Sequence, residues 1–317
     1  MPHHKIAIIL ILSFSLLYPK EIHPTFKLES MGFINDFAVH KSIIYLGNDE
    51  GSVDVFDLTT GKLINQIVLD LVTTRLGDLI SPNVLSVDYL NGKLLIVSTG
   101  AGSYRNVWIY QNLQLKKIIA EDKKLTIKEA RFIDDEKLLL GTFSSEVILH
   151  DIGESYNVYK RHVTQSTLCD IQLSEDKTKV IMSDESGEIR LLDVKTSETL
   201  KVYDSQNVDK VYHVAYAKGV IVTAGQDRRV AVYQEGKKDY HIKSDFLVYC
   251  CGISPSGKVG IYSSNEKHHL QLFDTKTEKK LDTLIGHKGM VNQIKFINEK
   301  ELFSVERSPY IYYWRLD

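Results

Sequence analysis

Apolar and polar residues alternate along most of this chain, and the alternation recurs in units of similar length. Alternation with a period of two is typical of β-strands that are buried on one face. Within each unit, an apolar strand is followed by a second strand that ends in small residues, then by a turn and a third alternating strand. In the fourth unit, residues 180–183 run into a turn at 184–187, and Ile189, Leu191 and Val194 follow with polar residues between them. The pattern predicts an all-β chain built from copies of one supersecondary unit.

The third strand of each unit ends on a recognisable residue pair, and these pairs give the length of the repeat. Six pairs occupy this position: Phe56-Asp57, His150-Asp151, Leu192-Asp193, Tyr233-Gln234, Phe273-Asp274 and Trp314-Arg315. The last five are separated by 42, 41, 40 and 41 residues. The gap of 94 residues between Asp57 and Asp151 fits two repeats with a short insertion, and residues 107–111 supply the missing strand end. Seven units of this length predict a seven-bladed β-propeller.

The repeat resembles that of WD40 proteins, whose units carry Gly-His near the start, an Asp in the turn before the third strand and Trp-Asp at its end. Gly286-His287 and Trp314 are present in the last unit, and turn aspartates are present at Asp49, Asp184 and Asp227. The resemblance covers most of the chain and implies a WD40-like propeller in which His287 is bonded to the turn aspartate of its blade. The last turn, residues 306–309, contains no Asp, so this bond is in doubt.

The two ends of the repeat region suggest how the ring closes. The chain stops directly after the third strand of the last unit, and residues 25–28 form a short alternating segment before the first unit. We expect residues 25–28 to pair with the last blade, because closure removes exposed strand edges. The repeats leave no room for a second domain, so residues 19–317 are predicted to form a single propeller domain.

Residues 1–18 follow a different pattern. A short basic start is followed by 13 mainly apolar residues, Ile6 to Tyr18, which are too few to cross a bilayer core of about 30 Å. The segment is typical of a signal peptide and predicts export to the periplasm. No small residue ends the apolar run, so the cleavage point is not determined. An uncleaved membrane tether and a buried first strand are the alternatives.

Charge and motifs favour a protein without catalytic chemistry. The 39 basic and 41 acidic residues are dispersed, which gives no support for nucleic-acid binding. No metal-binding, nucleophilic or phosphate-binding motif is found among the 11 histidines, the glycines and the three cysteines, so we predict no cofactor, no metal and no enzymatic activity. Cys169, Cys250 and Cys251 are expected to be buried thiols, since adjacent strand residues face opposite sides and cannot pair readily.

Two segments interrupt the repeat and are the candidates for binding a partner. The first is the partly apolar insertion after the first unit, and the second is a glycine-rich turn in the second unit. Long connections on a rigid scaffold are common docking elements, and Tyr and Arg are frequent interface anchors. Alternatively, the insertion contains only the outer strand of the first blade and a local lid. The candidate partner-binding residues are Leu71, Arg75, Leu76, Leu79, Ile80, Tyr104 and Arg105.

In size, leading segment and degenerate repeats, the whole chain resembles the NapL-type accessory proteins of bacterial periplasmic nitrate reductase systems. This resemblance implies a monomeric, non-catalytic scaffold or maturation factor that binds periplasmic nitrate reductase subunits and has no stable transmembrane span. No short motif carries it, so no functional residue can be transferred.

Two other functions fit the same fold, because propellers also host enzymes. A periplasmic enzyme of the lactonase or lyase type would need polar side chains from several innermost strands in the central channel. A membrane-tethered or cytosolic WD40 hub would follow if residues 1–18 are retained. The candidate channel residues are Asp36, Asp88, Glu129, Asp170, His213 and Asn292.

Overall fold

The computed structural model describes residues 19–74 and 76–316 of the chain. They form seven β-sheets of the propeller type, antiparallel except for one added strand, and the first strands of successive sheets contact one another around a central channel. The predicted all-β, seven-bladed architecture is therefore confirmed. The predicted signal peptide, residues 1–18, lies outside the described residues.

Blades 1 to 4 are meanders of four strands, each running from the channel to the outer edge. Their strands are Ile34–His40, Ile43–Asn48, Ser52–Asp57 and Lys62–Val68 in blade 1; Val84–Leu90, Lys93–Thr99, Arg105–Gln111 and Gln114–Ile119 in blade 2; Ile127–Phe132, Lys137–Thr142, Glu146–Asp151 and Tyr156–His162 in blade 3; and Leu168–Leu173, Lys179–Asp184, Ile189–Asp193 and Thr199–Tyr203 in blade 4. Each third strand ends at the residue that the repeat predicts.

Blades 5 to 7 continue the same order. Their strands are Val211–Ala217, Val220–Gly225, Arg229–Gln234 and Tyr240–Lys243 in blade 5; Cys251–Ile253, Val259–Ser263, Leu270–Asp274 and Lys280–Leu284 in blade 6; and Val291–Phe296, Glu301–Glu306 and Tyr310–Arg315 in blade 7. Outside the blades, Val72–Thr73 pairs with Leu79–Ile80 in a small hairpin, and two 3-10 helices span Ala101–Ser103 and Glu121–Lys123. In the described ranges, no helix is long and apolar enough to cross a membrane.

The ring closes through the start of the described chain. Strand Phe26–Glu29 pairs antiparallel with Tyr310–Arg315 and supplies the outermost strand of blade 7, as predicted. Strand Glu21–Ile22 adds a parallel fifth strand to the outer edge of blade 6, against Thr283 and Leu284. The leading segment therefore links the two blades that precede blade 1 in the ring.

The hydrophobic core is divided among the contacts between neighbouring blades. Seven clusters of buried apolar side chains lie one at each junction, from blades 1 and 2 round to blades 7 and 1. The blades approach closely where the second strand ends in small residues. A Cβ atom on Gly47 would lie 2.5 Å from Val84 of the next blade, so a larger residue would push these sheets apart. Small residues at this point are therefore required by packing.

Aspartates at the ends of the third strands hold the turns that follow. The Asp57 carboxylate accepts hydrogen bonds from the backbone amides of Thr59 and Thr60 at 2.8 and 3.0 Å, and Asp193 accepts one from Thr196 at 2.8 Å. Side-chain oxygens of Asp commonly close turns in this way. The Asp of the repeat therefore has a structural role.

Blade 7 contains the hydrogen-bond network that the sequence left in doubt. Trp314 Nε1 donates to Ser304 Oγ at 2.7 Å, Ser304 Oγ lies 2.7 Å from His287 Nε2, and His287 Nδ1 lies 3.1 Å from Glu306 Oε2. The same carboxylate accepts the backbone amides of Lys288 and Gly289. Glu306 thus performs the role of the turn aspartate, because its longer side chain still reaches the histidine.

The three cysteines are free and buried, as expected. Cys250 packs in the cluster between blades 6 and 7, and its neighbour Cys251 packs in the cluster between blades 5 and 6. Burial raises the pKa of the Cys169 thiol to about 11 and that of Cys250 to about 12. Neither thiol is a ready nucleophile at neutral pH, since the thiolate is the reactive form.

Candidate functional site

The first candidate site is the central channel. A cavity of about 760 Å³ lies there, bordered by the innermost strands of all seven blades, of which blade 2 contributes only Leu85. This volume is within the usual range of small-molecule sites. Unlike the cores between the blades, the cavity wall is rich in charged and amide side chains. Its chemistry therefore depends on how those groups are paired.

One register position of the innermost strand carries a polar side chain in six of the blades. In six blades a β-bulge near the start of the first strand interrupts its pairing with the second strand. We call the first residue of the innermost strand that is paired again after the bulge the ring residue of that blade. A bulge re-aims the side chains beside it. The six ring residues are Asp36, Ser86, Glu129, Asp170, His213 and Gln293.

Asp36 is the centre of a network of hydrogen bonds and ion pairs that joins four blades. Its carboxylate accepts hydrogen bonds from Val87 N of blade 2 at 2.9 Å, and from Gln293 Nε2 and Lys295 Nζ of blade 7 at 2.7 and 2.8 Å. Arg131 of blade 3 lies 3.5 Å away. Burial opposes the charged form of Asp36, but the cations Lys295 and Arg131 and the hydrogen bonds outweigh it and hold the pKa well below its usual range. Asp36 is therefore a fully paired carboxylate.

Arg131 extends this network around the channel. Its guanidinium donates to Ser86 Oγ at 2.6 Å and forms an ion pair with Glu129 at 3.0 Å. Neighbouring carboxylates, Asp36 foremost, raise the pKa of Arg131 despite its burial. The sequence interpretation missed both Arg131 and Lys295. The available signal was the strand period, because each lies two residues after a ring position and therefore on the same face.

Glu129 and Asp170 form a close carboxyl pair in blades 3 and 4. Burial and the nearby Asp170 charge raise the pKa of Glu129 to about 8, and burial also raises the pKa of Asp170. Two adjacent carboxyls share a proton because both cannot ionise cheaply together. Arg131 pairs with Glu129 and reduces this effect without abolishing it. Burial and mutual repulsion therefore both favour the protonated form of one carboxyl of the pair.

His213 of blade 5 continues the row. Its Nε2 atom lies 3.6 Å from Asp170, and its Nδ1 atom lies 3.7 Å from the Cys251 sulfur. Burial lowers the pKa of His213 to about 4, so the ring is neutral at pH 7. Within the part of the chain that the structure describes, no group of three or more His, Cys, Asp or Glu side chains is arranged to hold a metal ion.

Two amide oxygens of blade 7 are unpaired at the cavity. Asn292 Oδ1 and Gln293 Oε1 are inaccessible to solvent and have no protein hydrogen-bond donor. Gln293 is held by the bond from its Nε2 to Asp36, which fixes which end of the amide remains free.

The channel residues considered in the sequence divide into two groups. Asp36, Glu129, Asp170 and His213 occupy the ring position, as a channel site would need. Asp88 lies two residues beyond Ser86, and it accepts the amide of Phe132 in the next blade at 2.7 Å. Asn292 precedes the ring residue Gln293 by one position. The hypothesis therefore identified the level of the ring in four blades and missed it in two.

The second candidate site is the insertion after blade 1, which forms the hairpin Val72–Thr73 and Leu79–Ile80. Its candidate side chains are exposed by the following fractions: Leu71 56%, Leu76 91%, Leu79 65% and Ile80 48%. Arg75 lies outside the described residues. The outer strand of blade 1 ends at Val68, before the hairpin, so the insertion forms an element of its own.

Further apolar side chains lie beside this hairpin. The exposed residues Met31 and Phe33 flank the turn after strand Ile43–Asn48, where Phe33 N donates to Asp49 at 2.7 Å. On the other side of that turn, Leu69 N donates to the Gly51 carbonyl at 2.9 Å. We call Met31, Phe33, Leu71, Leu76, Leu79 and Ile80 the apolar patch.

Tyr104 and Arg105 lie where the second strand of blade 2 connects to the third, the position equivalent to the turn beside the hairpin in blade 1. Both residues are only partly exposed. The Arg105 guanidinium donates to the Tyr104 carbonyl at 3.0 Å and lies 5.5 Å from the Phe143 ring of blade 3. Burial lowers the pKa of Arg105. The Arg105 side chain is thus engaged within the propeller, and both residues stay candidates for partner binding.

Comparison with known proteins agrees with the class of fold. No family model matches the chain. A curated relative, the E3 ubiquitin-protein ligase COP1 of Arabidopsis thaliana, is 23% identical over 145 residues, or 44% of this chain. The match covers 21% of that relative, so the chain spans about a fifth of its length. Together with the seven blades, this similarity supports a WD40-like propeller, a class that suggests a protein-interaction scaffold.

Proposed function

We propose that this protein is an exported, non-catalytic scaffold that binds another protein through the apolar patch. The observation that carries the proposal is the exposure of six large apolar side chains around one turn of blade 1. Contiguous exposed apolar surface, as opposed to scattered single residues, marks interaction sites. The patch is built on a rigid ring, so little order would be lost when a partner binds.

We propose further that the partner is a periplasmic nitrate reductase and that this chain supports its assembly. The support is the whole-chain resemblance to NapL-type accessory proteins together with the signal-like residues 1–18. On this proposal the redox cofactors belong to the reductase.

The test is affinity capture of the tagged full chain from periplasmic extract of the native host grown on nitrate, with partners identified by mass spectrometry. A variant with Leu71, Leu79 and Ile80 all replaced by Ser should lose the partner. The matched control is Leu113→Asn, because Leu113 is 84% exposed in the turn between the third and fourth strands, at the opposite end of blade 2. Circular dichroism of each variant checks that the propeller remains folded.

Recovery of reductase subunits by the natural chain and by Leu113→Asn, but not by the triple variant, would support both parts of the proposal. A different protein captured in the same patch-dependent way would reject the reductase and retain the scaffold. Capture that is indifferent to the triple substitution, or no partner in any extract, would reject the patch as the binding surface.

A further inference from the structure

We infer that the apolar patch takes a basic amphipathic segment of its partner, in which large apolar side chains are flanked by lysine or arginine. The inference rests on the proposed function, because it names the chemistry of the partner that the patch binds. Two observations lead to it. Acidic side chains lie within and beside the patch, and the cations around them do not neutralise them.

Two of these acids lie in the turn at the middle of the patch. Gly32 lies between the two patch residues that precede blade 1, and a Cβ atom on it would lie 2.6 Å from Asp49 Oδ1 and 2.7 Å from Glu50 Cγ. On the other side of the turn, a Cβ atom on Gly51 would lie 3.0 Å from Pro82 Cδ, at the end of the insertion. The turn that carries Asp49 and Glu50 therefore separates the two halves of the patch.

The other two acids lie on the insertion. Asp70 directly precedes Leu71, and Asp78 directly precedes Leu79. Both aspartates are exposed, as the two leucines are. The chain that leads into each strand of the hairpin therefore carries an exposed carboxylate next to an exposed apolar side chain.

The surrounding cations leave these four acids in excess. Among the residues that the structure describes, none of the four carboxylates is in an ion pair. Lys27 and Glu29 of the closing strand both contact Tyr310 and offset each other. The arginines beside the patch are Arg307, in the turn of blade 7 that contacts the start of blade 1, and Arg75 of the insertion, which is outside the described residues. Four acids against two arginines give a formal charge of -2.

Apolar surface and charge together select the partner. An acidic segment would be repelled by the carboxylates, and a wholly apolar segment would remove water from them without supplying a counter-charge. The stems of lysine and arginine cover apolar surface while their charged ends reach outward to neighbouring groups. Because exposed ion pairs contribute little each, we expect the apolar contacts to supply most of the affinity and the acids to supply the selectivity.

The experiment is fluorescence anisotropy of labelled peptides titrated with the full chain. The probe is the peptide LKKLLKLLKKLLKL, whose spacing gives a helix with one apolar and one basic face. In two matched peptides, Glu replaces every Lys or Ser replaces every Leu. We expect a dissociation constant of about 100 µM or lower for the Leu–Lys peptide, and binding of the other two at least about tenfold weaker. No binding of the Leu–Lys peptide, or equal binding of either matched peptide, would overturn the inference.

Variants of the acids locate the binding. Replacing Glu50, Asp70 and Asp78 by their amides should weaken binding of the Leu–Lys peptide about tenfold at about 50 mM NaCl and much less at about 500 mM, because salt screens exposed charges. The control makes the same change in net charge in exposed turns at the opposite ends of the blades, through Glu154→Gln, Glu235→Gln and Glu278→Gln. The control should bind as the natural chain does. Equal weakening by the two sets would mean non-specific attraction and would contradict the inferred site.

The same variants separate this inference from the proposed function. If affinity capture loses the partner with the triple Ser variant of Leu71, Leu79 and Ile80 but keeps it with the three-amide variant at low salt, the patch stands and the basic partner is rejected. Loss with both variants and retention by the control would support both conclusions. If the triple Ser variant changes neither capture nor peptide binding, the patch itself fails. A dimer in analytical ultracentrifugation that the triple Ser variant abolishes would make a second copy the occupant and overturn the inference.

Discussion

At the scale of single residues, Glu306 shows how a degenerate repeat keeps its structure. Glu306 Oε2 accepts the backbone amides of Lys288 and Gly289 and lies 3.1 Å from His287 Nδ1, and the His287 side chain is fully buried between Glu306 and Ser304. Hydrogen bonds from His287 and from the amides of Gly289 and Lys288 outweigh burial and lower the pKa of Glu306 to about 2. The carboxylate is therefore charged at neutral pH and serves as a structural acceptor.

Replacing Glu306 tests this role. Glu306→Ala leaves His287 Nδ1 and two backbone amides without an acceptor, and we expect a loss of roughly 2–4 kcal/mol in the free energy of unfolding. Glu306→Asp restores the residue of the WD40 repeat and should lose less than half as much. Urea unfolding of both variants measures the difference. If Ala and Asp were equally destabilising, the acceptor would not be what matters at this position.

The Glu129 proton makes a prediction about pH. The pKa of Glu129 is about 8 in the folded chain and near 4.5 when the chain is unfolded, so folding takes up a proton between these values. The stability that this proton uptake contributes is fully present below pH 4.5 and is lost as the pH rises through 8. When the pH is raised from 5 to 9, the free energy of unfolding of the natural chain should therefore fall by roughly 1–3 kcal/mol more than that of Glu129→Gln. Urea unfolding at the two pH values measures it, and parallel losses in both proteins would argue against the raised pKa.

At the scale of elements, the insertion hairpin is separable from the propeller. The two short strands of the hairpin pair with each other, and Thr74 N donates to the Asp78 carbonyl at 2.8 Å. We expect replacement of residues 72–80 by a short Gly-Ser linker to change the midpoint of thermal unfolding by less than about 3 °C, because few core contacts are lost. Differential scanning calorimetry checks this. A much larger drop would show that the hairpin stabilises blade 1, in which case loss of partner binding could not be assigned to it alone.

The same elements show where sequence interpretation is reliable. Four of the seven third strands end in an Asp whose carboxylate accepts backbone amides of the following turn, namely Asp57, Asp151, Asp193 and Asp274. In these blades the strand end and the turn are determined by the same local residues, which is why the ends were predictable. The innermost strands were harder to interpret. Each has a bulge near its start in six blades, and a bulge shifts the face of every later side chain without changing the composition. Asn292 was therefore chosen in place of Gln293.

Some contacts of the channel could not be obtained from any local pattern. Asp36 meets Gln293 and Lys295 only because the ring brings blade 7 back against blade 1, more than 250 residues along the chain. The closing strand was predictable because a propeller has few other positions for an unpaired leading segment. The ion pairs across the channel depend on the number of blades and on the register together, and a single sequence gives these too coarsely to place individual side chains.

At the scale of the whole molecule, closure by Phe26–Glu29 should make the seven blades one cooperative unit. Leu28 is buried among residues of blades 7 and 1, including Phe303 and Ile311. Leu28→Ala should cost roughly 2–4 kcal/mol, whereas Leu113→Ala, on the exposed turn, should change stability very little.

The two tryptophans allow this cooperativity to be tested. Trp108 lies in blade 2 and Trp314 in blade 7, and both are buried. With Trp314→Phe or Trp108→Phe, fluorescence follows one blade at a time during urea unfolding. If the ring unfolds as a unit, Leu28→Ala lowers the midpoint equally for both reporters, since coincident transitions are the test of two-state behaviour. An earlier transition in blade 7 alone would mean that the closing strand stabilises its own sheet without holding the ring together.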